Sequence, residues 1–177
     1  MKNTGRVSVV ALMIMVTVLA FGSVGQVAAD APRSEETNKD IVHRWMDEVL
    51  NQGNITVVDQ IISPEFVGHD PLDTGSVYGQ AGARALVSSM RAMLTGFHVT
   101  EQALVAEGEM VSCMTISRGR FTEPWGGLLP NGAEIQYVGH TLFHIQDGQI
   151  VEAWFVYDTL GLMQQLTAPP AEPWLYP

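Results

Sequence analysis

The stretch of sequence that most constrains the fold runs from Ala133 to Asp158 and reads AEIQYVGHTLFHIQDGQIVEAWFVYD. Apolar and polar residues alternate on both sides of Asp147-Gly148, a pattern that is typical of a β-hairpin. Because successive side chains of a strand point to opposite faces, the hairpin presents two different surfaces. The sequence therefore predicts two long antiparallel strands, with one surface apolar enough to cover a core.

The length of the hairpin turn decides which residues share a surface. A two-residue turn pairs Gln146 with Gln149 and leaves apolar and polar positions mixed on each face. A three-residue turn with Gly148 in the left-handed conformation pairs Ile145 with Gln149. We favour the three-residue turn, because it separates apolar from polar positions better. The inner surface then carries Tyr137, Thr141, Phe143, Val151, Ala153, Phe155 and Tyr157, and the outer surface carries Gln136, His140, His144, Glu152, Trp154 and Asp158.

Residues 1–29 have the features of an export signal. Lys2 and Arg6 form a basic start, an apolar run extends to Phe21, and small residues at 27–29 form a cleavage site. Retention as a membrane anchor is the alternative, because the apolar run approaches the length that spans a bilayer. Removal would leave about 148 residues (177 − 29), enough for one domain with its own core. We therefore expect a secreted or periplasmic protein.

The chain is acidic and contains a single cysteine. Its formal net charge is −10, and loss of the two cations in residues 1–29 would bring it to −12 (−10 − 2). An acidic domain without a basic cluster is a poor binder of nucleic acid, so we expect no nucleic-acid partner and, after signal removal, no membrane contact. Cys113 cannot form an intramolecular disulfide, and its place in a strand pattern predicts a buried core residue.

Helical periodicity occurs in two segments before the hairpin, Thr37–Asn51 and Gly82–Thr95. Each segment carries one apolar stripe, which predicts an amphipathic helix. The first stripe consists of Val42, Trp45, Met46, Val49 and Leu50, and the second of Ala83, Leu86, Val87, Met90, Met93 and Leu94. Shorter helices are predicted over Asn54–Ile62, where a strand is the alternative, and over Leu160–Leu166.

From Phe97 onwards the period of the apolar residues changes from helical to alternating. Residues 97–107 and 110–118 are predicted to form two strands joined at Gly108, and the hairpin follows after a loop that contains Trp125. Helices followed by a run of antiparallel strands indicate an α+β fold, with helices on one face of a curved sheet. A strongly bent sheet closed by helices forms a cone with a pocket at its open end.

The predicted domain covers residues 37–167. The polar segment 30–36 before it is expected to be a disordered lead-in. The Pro-rich residues 168–177 after it are expected to form an extended tail.

Two stretches carry a family resemblance: EFVGHDP, and PNGAEIQYVGHTLFHIQDGQIVEAWFVYDTLGLMQQL. Together with the helix order they resemble the SnoaL-like polyketide (ester) cyclases of the nuclear-transport-factor-2-like, ketosteroid-isomerase-like superfamily. The most specific part is Gly-His before an Asp-Gly turn, then Ile-x-Glu-x-Trp, Asp and a Gln-Leu ending. The resemblance extends roughly from Asn38 to Leu166. Because this fold supports many activities, it predicts architecture better than chemistry.

The resemblance implies a cone-shaped α+β domain, frequently dimeric through its outer sheet face, with a cavity for a hydrophobic ligand. It implies acid–base chemistry without a metal or organic cofactor: a base removes a proton next to a carbonyl and a donor stabilises the oxygen. As we align them, the acidic residue of the cyclases falls on Phe155 and a cavity histidine falls on Thr141. The matching positions are His69, Trp154 and Asp158.

Two ionisable residues are candidates for catalysis. His69 precedes Pro71 at the expected mouth of the cone, where an imidazole can act as base or hydrogen-bond donor; a loop histidine bonded to the backbone is the alternative. Asp158 ends the last strand, either as a carboxylate at the pocket rim or as the N-cap of the following helix. The favoured register points Asp158 away from the interior, which supports the cap.

A set of aromatic and hydroxyl-bearing residues is the candidate ligand wall, with core packing as the alternative. These residues are Trp125, Tyr137, Thr141, Phe143, Phe155 and Tyr157. His140 and His144 have the spacing of a metal site on a helix. On a strand they lie about 13 Å apart at about 3.3 Å per residue, which is too far to share an ion. We therefore expect no metal site.

Three functions are compatible with these features. The first is an exported cyclase- or isomerase-like enzyme that acts on a small hydrophobic carbonyl compound, with His69 as base and Asp158 or a tyrosine hydroxyl assisting. The second is a non-catalytic carrier or sensor, which Phe155 favours. A third is a dimerisation module that uses the outer residues His140, Glu152 and Trp154. For both the enzyme and the carrier, we expect a small hydrophobic ligand and a homodimer.

Overall fold

The computed structural model describes residues 31–70 and 76–169, so the predicted export signal and most of the predicted tail lie outside the described residues. The helices are α1 (Ala31–Arg44), which continues as a π-helix over Trp45–Asn51, α2 (Val58–Ile61) after a 3₁₀ turn at Ile55–Val57, α3 (Gly79–Met93) and α4 (Thr159–Thr167). The strands are β1 (Ile62–His69), β2 (Ser76–Tyr78), β3 (Leu94–Glu107), β4 (Met110–Phe121), β5 (Glu134–Gln146) and β6 (Gln149–Tyr157).

The six strands form one curved, open sheet in the order β2-β1-β6-β5-β4-β3. Strands β3 to β6 follow one another as antiparallel neighbours, whereas β1 lies parallel to β6. The helices close the concave side, which confirms the predicted α+β cone. The parallel contact is the feature that local patterns did not predict, because it joins the start of the domain to its last strand.

The central hairpin has a different turn from the predicted one. Asp147 and Gly148 both adopt positive φ angles, of 50° and 77°, and Gln146 pairs with Gln149 across them. The predicted three-residue turn is therefore wrong. Two left-handed residues in succession form the tight turn whose twist matches that of antiparallel strands, and Asp-Gly favours it.

A bulge on β6 nevertheless produces the predicted faces. Ile145 pairs with Ile150, and the next pairing skips Val151. The extra residue exchanges the faces of everything beyond it, so Thr141 pairs directly with Phe155 on the inner surface. The prediction that these two residues share a face is confirmed, although Ile150 takes the buried position that was expected for Val151.

The core lies between the inner sheet surface and the helices. The predicted α1 stripe is buried throughout its length, and Cys113 is fully buried, as the sequence predicted. Each fully buried large aliphatic or aromatic side chain contributes roughly 1.5–3 kcal/mol of transfer free energy. On β5, burial alternates strictly from Glu134 onwards, which is the signature of a strand with one face on a core.

Helix α1 begins at Ala31 rather than at Thr37, so residues 31–36 are helical and not a disordered lead-in. Two contacts with the β3–β4 turn explain the extension. The Gly108 amide donates to Glu35 Oε1 at 3.0 Å, and Asn38 Nδ2 donates to the Gly108 carbonyl at 3.0 Å. Polar side chains of the first turns thus attach the helix to the sheet.

The outer sheet surface exposes several apolar residues, including Met114 (41% exposed), Val138 (44%) and Val156 (60%). The expected homodimer through this face stays a prediction. Within residues 31–70 and 76–169, no helix combines the length and apolarity needed to cross a membrane.

Candidate functional site

The concave side of the sheet encloses an inner cavity. Its empty space is about 470 Å³ with the open mouth included, and a water molecule's centre can move through about 40 Å³ of it. The helices contribute Trp45, Met46, Leu50, Leu86 and Met90, and the sheet contributes Val99, Thr115, Ser117, Tyr137, Gly139, Thr141, Phe155 and Tyr157. The wall is therefore apolar with a row of hydroxyl groups on the sheet side, the composition of a small-molecule pocket.

An outer cavity lies along a neighbouring stripe of α3. It holds about 810 Å³ of empty space with its mouth included. Its lining consists of Asp70, Ser76, Val77, Tyr78, Gly82, Ala85, Leu86, Ser89 and Trp125. The α3 residues in this set are spaced i, i+3, i+4 and i+7, so they form one helical stripe. Leu86 lines both cavities.

A carboxylate and a tyrosine meet where the two cavities approach each other. The Tyr157 hydroxyl donates to Asp70 Oδ2 at 3.2 Å. The parallel pairing of β1 with β6 produces this contact, because it aligns Gly68, near the end of β1, with Ala153 in the middle of β6. A Cβ on Gly68 would lie 3.2 Å from the Phe155 ring, so this face of β1 looks inward. Asp70, two residues later, continues on the same side.

Asp70 is the functional candidate that the sequence analysis did not single out. It stands in the quoted EFVGHDP stretch, directly after His69. The available signal was the alternation of faces along β1. Phe66 is apolar and lies four positions before Asp70, so the two side chains point to the same face of an extended strand. Using that signal required knowledge that β1 is a strand beside β6.

Two tyrosines, the buried Tyr137 and the partly buried Tyr157, extend the site inward from Asp70. The rings of Tyr137 and Tyr157 meet edge to face at 5.9 Å, and Phe155 stacks on Tyr157 at 6.4 Å. Burial, and then the negative charge of Asp70, raise the pKa of Tyr157. Burial also raises the pKa of Tyr137, although a hydrogen bond from Ser117 opposes the rise. Both hydroxyls are therefore neutral hydrogen-bond donors around neutral pH.

These pKa shifts predict a loss of stability at alkaline pH. Above a pH of about 10 the unfolded chain releases tyrosine protons that folded Tyr137 and Tyr157 retain. The contribution of these two residues to the free energy of unfolding is therefore fully present below that pH and is lost progressively above it. Cys113 acts with the same sign, because burial and the charge of Glu101 raise its pKa from 9.0 to about 12. The free energy of unfolding is expected to fall from pH 9 upwards, with a limiting slope of about 1.4 kcal/mol per pH unit for each group.

Denaturant titrations between neutral and alkaline pH measure this slope. Tyr157→Phe should make it shallower, whereas the same substitution at Tyr78, which is 67% exposed, should leave it unchanged. A stability that stays constant up to about pH 11, where ordinary tyrosines are largely ionised, would contradict the assignment.

His69 lies on the outer surface of the sheet and lines neither cavity. Its Nε2 contacts Glu152 Oε1 at 2.8 Å, and its ring stacks on Trp154 with a centroid distance of 5.4 Å and an angle of 13°. Trp154 is its direct partner in the parallel pairing of β1 with β6. We call these two contacts of His69 the clasp. They hold the end of β1 against β6, and thereby also hold the neighbouring residue Asp70 in place.

Removing this clasp is expected to destabilise the domain by about 1–2 kcal/mol in His69→Ala, because one hydrogen bond and one ring stack are lost. His69→Phe keeps the stack and should lose about half as much. Urea denaturation of the two variants measures the difference. His98→Ala, which removes an exposed histidine from β3, is the matched control and should be neutral. Equal stability of His69→Ala and the unmodified protein would show that the clasp contributes nothing.

Asp158 is the N-cap of α4 in the structure. The Gly161 amide donates to its Oδ1 at 2.9 Å, and the residue is exposed. The cap alternative from the sequence therefore describes its geometry, and Asp158 lines neither cavity.

The two histidines with metal-like spacing have separate partners. His140 Nε2 contacts Ser112 Oγ at 3.0 Å, and His144 Nε2 contacts Glu109 Oε2 at 3.3 Å. Within the described part of the chain, no group of three or more potential ligand side chains surrounds a common point.

The predicted ligand wall divides into three groups. Tyr137, Thr141, Phe155 and Tyr157 line the inner cavity, and Trp125 lines the outer one. Phe143 is 1% exposed and lines neither. Thr115 and Ser117, which the sequence analysis did not name, join the inner wall because they alternate with outward residues along β4.

A curved sheet closed by helices around an apolar, hydroxyl-bearing cavity defines a nuclear-transport-factor-2-like α+β cone. The sequence profile of the SnoaL-like polyketide cyclases matches residues 40–166. The chain therefore belongs to the SnoaL-like polyketide cyclase family. No curated protein matches it significantly in sequence.

Several solved structures share the fold. A proposed SnoaL-like polyketide cyclase from Jannaschia sp. CCS1 is 26% identical, covers 82% of this chain and 100% of its own, and has a TM-score of 0.71. A proposed polyketide cyclase from Acidithiobacillus ferrooxidans is 28% identical, covers 73% and 94%, and has a TM-score of 0.66. TsrD from Streptomyces laurentii, at 24% identity, covers 75% and 96% with a TM-score of 0.67 and supports the fold alone.

Proposed function

We propose that this protein is an exported, cofactor-independent acid–base enzyme that binds a small hydrophobic carbonyl compound in its inner cavity and enolises it at Asp70, where the inner cavity approaches the outer one. Enolisation is the step shared by cyclisation and isomerisation of such compounds. Family membership supports the reaction class, and the apolar cavity supports the ligand class. The features of residues 1–29 support export.

The Asp70–Tyr157 hydrogen bond is the observation on which the proposal depends. The carboxylate has a fixed orientation, because the Tyr157 hydroxyl holds Oδ2 and the clasp at His69 holds the strand end. The Asp70 carboxylate is the proposed base. A base in hydrogen-bond reach of a substrate proton contributes about 10²–10⁴-fold to the rate.

The proposed chemistry uses the residues as follows. Asp70 accepts the proton from the carbon next to the substrate carbonyl, the C–H electron pair forms a C=C bond to the carbonyl carbon, and the π pair of the carbonyl moves to its oxygen. The Tyr137 hydroxyl donates a hydrogen bond to that oxygen, and the Ser117 hydroxyl interacts with Tyr137. The resulting enolate then takes the proton back at carbon or attacks a second carbonyl. Burial strengthens these interactions, because the cavity has a lower effective dielectric than water.

A carrier or sensor is the second candidate function. The observation in its favour is Phe155, which lines the cavity at the position where our alignment puts the acidic residue of the cyclases. In a carrier, the Asp70–Tyr157 pair would orient a ligand without moving its protons.

Exchange of ketone protons distinguishes the two functions without knowledge of the natural substrate. The protein is incubated in D₂O with 2-tetralone, a compact apolar ketone, and loss of the α-proton signals is followed by NMR. Binding of 2-naphthol, which has the same ring size and no ketone, is measured in parallel by calorimetry. Exchange well above the buffer rate supports the enzyme. Binding of 2-naphthol without accelerated exchange of tetralone would support the carrier and overturn the enzyme.

A further inference from the structure

We infer that the inner and outer cavities form one bipartite site, and that its ligand is an elongated, uncharged molecule with an apolar ring end and a hydroxylated end. This inference rests on the proposed function for the position of the reacting carbon. It goes further by assigning a role to the outer cavity and by naming the chemistry of the part of the ligand that does not react.

The two cavities share a wall and a polar contact. Leu86 lines both, so α3 separates them with a single side chain at that point. The Asp70–Tyr157 hydrogen bond joins a residue of the outer lining to one of the inner lining. A ligand with its reacting carbon at Asp70 therefore extends in both directions from that carbon.

The linings differ in chemistry. The inner wall is mostly apolar, with aromatic rings around its hydroxyl groups. The outer wall carries Asp70, the hydroxyl-bearing Ser76, Tyr78 and Ser89, and the Trp125 ring. Hydroxyl and carboxylate oxygens can exchange hydrogen bonds with a hydroxylated ligand end, and an indole face packs well against a sugar-like or alicyclic surface.

Charge narrows the ligand class. Among the residues that the structure describes, neither lining contains a lysine, arginine or histidine, and the whole chain carries a formal net charge of −10. A ligand carboxylate or phosphate in the outer cavity would approach the Asp70 carboxylate, and two like charges repel each other strongly in a partly desolvated site. The outer cavity is thus suited to a neutral polar group.

Three naphthalene probes test the inference by calorimetry on the full-length protein. They are 2-naphthol, 2-(2-naphthyloxy)ethanol and 2-naphthoxyacetic acid, which share the ring and differ in having no tail, a hydroxyl tail or an anionic tail. We expect the hydroxyl tail to improve affinity over 2-naphthol by about fivefold, corresponding to about 1 kcal/mol for one added hydrogen bond. The anionic tail should bind at least about tenfold more weakly than the hydroxyl tail.

Ala85→Trp provides the decisive variant. Ala85 is exposed on α3 and lines only the outer cavity, so a large ring there fills that cavity without entering the core. The variant should abolish the advantage of the hydroxyl tail and change the affinity for 2-naphthol by less than about twofold. Ser88→Trp, at another exposed α3 position that lines neither cavity, is the matched control and should retain the preference.

The outcomes separate this inference from the proposed function. Equal affinity for all three probes, a preference that survives Ala85→Trp, or strongest binding of the anionic probe would overturn the bipartite site while leaving the enolising inner site intact. Failure of the protein to bind 2-naphthol would overturn both. Normal probe preferences without tetralone exchange would overturn the enzyme and leave the bipartite site standing.

Discussion

Replacing Asp70 with asparagine is expected to slow proton exchange of 2-tetralone by about 10²–10⁴-fold, the usual contribution of a positioned base. The amide has nearly the same shape as the carboxylate and can still accept a hydrogen bond from Tyr157, so the fold and the cavity should be retained. The affinity for 2-naphthol should change by less than about threefold. The effect then appears in the rate and not in binding, as expected for a group that acts mainly in the transition state.

Asp158→Asn is the matched control for the Asp70 substitution. It makes the same chemical change in the other carboxylate near the end of β6, where the side chain caps α4 and lines neither cavity. Asparagine is also a good N-cap, so both rate and stability should be unchanged. A large rate loss in Asp158→Asn with none in Asp70→Asn would contradict the proposal for Asp70 and support the sequence-based prediction that Asp158 is catalytic.

His69 provides a second comparison within the same experiment. If the imidazole were the base, His69→Phe and His69→Ala would lose activity equally. As a positioning residue it should instead lose activity in His69→Ala and regain most of it in His69→Phe, because the phenyl ring keeps the stack on Trp154 that holds β1 in place. The pH profile of the rate should also be the same in His69→Phe as in the unmodified protein.

Local sequence patterns were sufficient for the inner sheet surface. The alternation around Asp147-Gly148 placed Thr141 and Phe155 together even though the expected turn was wrong. The actual turn alone would have put these two residues on opposite faces, and the bulge at Val151 exchanges the faces once more. The apolar residues of the two strands thus share one face again. Burial of that face favours this arrangement whichever turn connects the strands.

Local patterns were not sufficient for the chemistry. His69 and Asp70 are neighbours in sequence. His69 nevertheless lies on the outer surface of the sheet, whereas Asp70 lines the outer cavity and contacts Tyr157 of the inner one. Deciding between them requires the pairing of β1 with β6, whose residues are separated by more than 80 positions, as His69 and Glu152 illustrate (|i−j| = 83). Periodicity within either strand contains no information about that pairing. The sequence therefore identified the segment of the candidate site, and its choice of His69 within that segment stays a prediction that the Asp70 and His69 substitutions test.

Phe143→Ala is expected to have the largest effect on stability, about 3–5 kcal/mol, a substantial fraction of the stability of an ordinary domain. Phe143 is 1% exposed on the inner surface of β5 and pairs with Val111 and Ala153, both fully buried. These small partners leave the ring as the main filler of that part of the core, and strands on both sides limit collapse into the vacated space. Urea denaturation with far-ultraviolet circular dichroism measures the loss.

The same substitution decides whether Phe143 belongs to the core or to the ligand wall. It lines neither cavity, so the folded fraction of Phe143→Ala should bind 2-naphthol with an affinity within about threefold of normal. Phe155 is half-buried and lines the inner cavity. Compared with Phe143→Ala, the variant Phe155→Ala should therefore lose less stability and more affinity for 2-naphthol. Val138→Ala, on the exposed face of β5 (44% exposed), should cost less than about 0.5 kcal/mol. A loss in that control as large as in Phe143→Ala would mean that the outer face is also covered, which is the result a stable homodimer through this surface would produce.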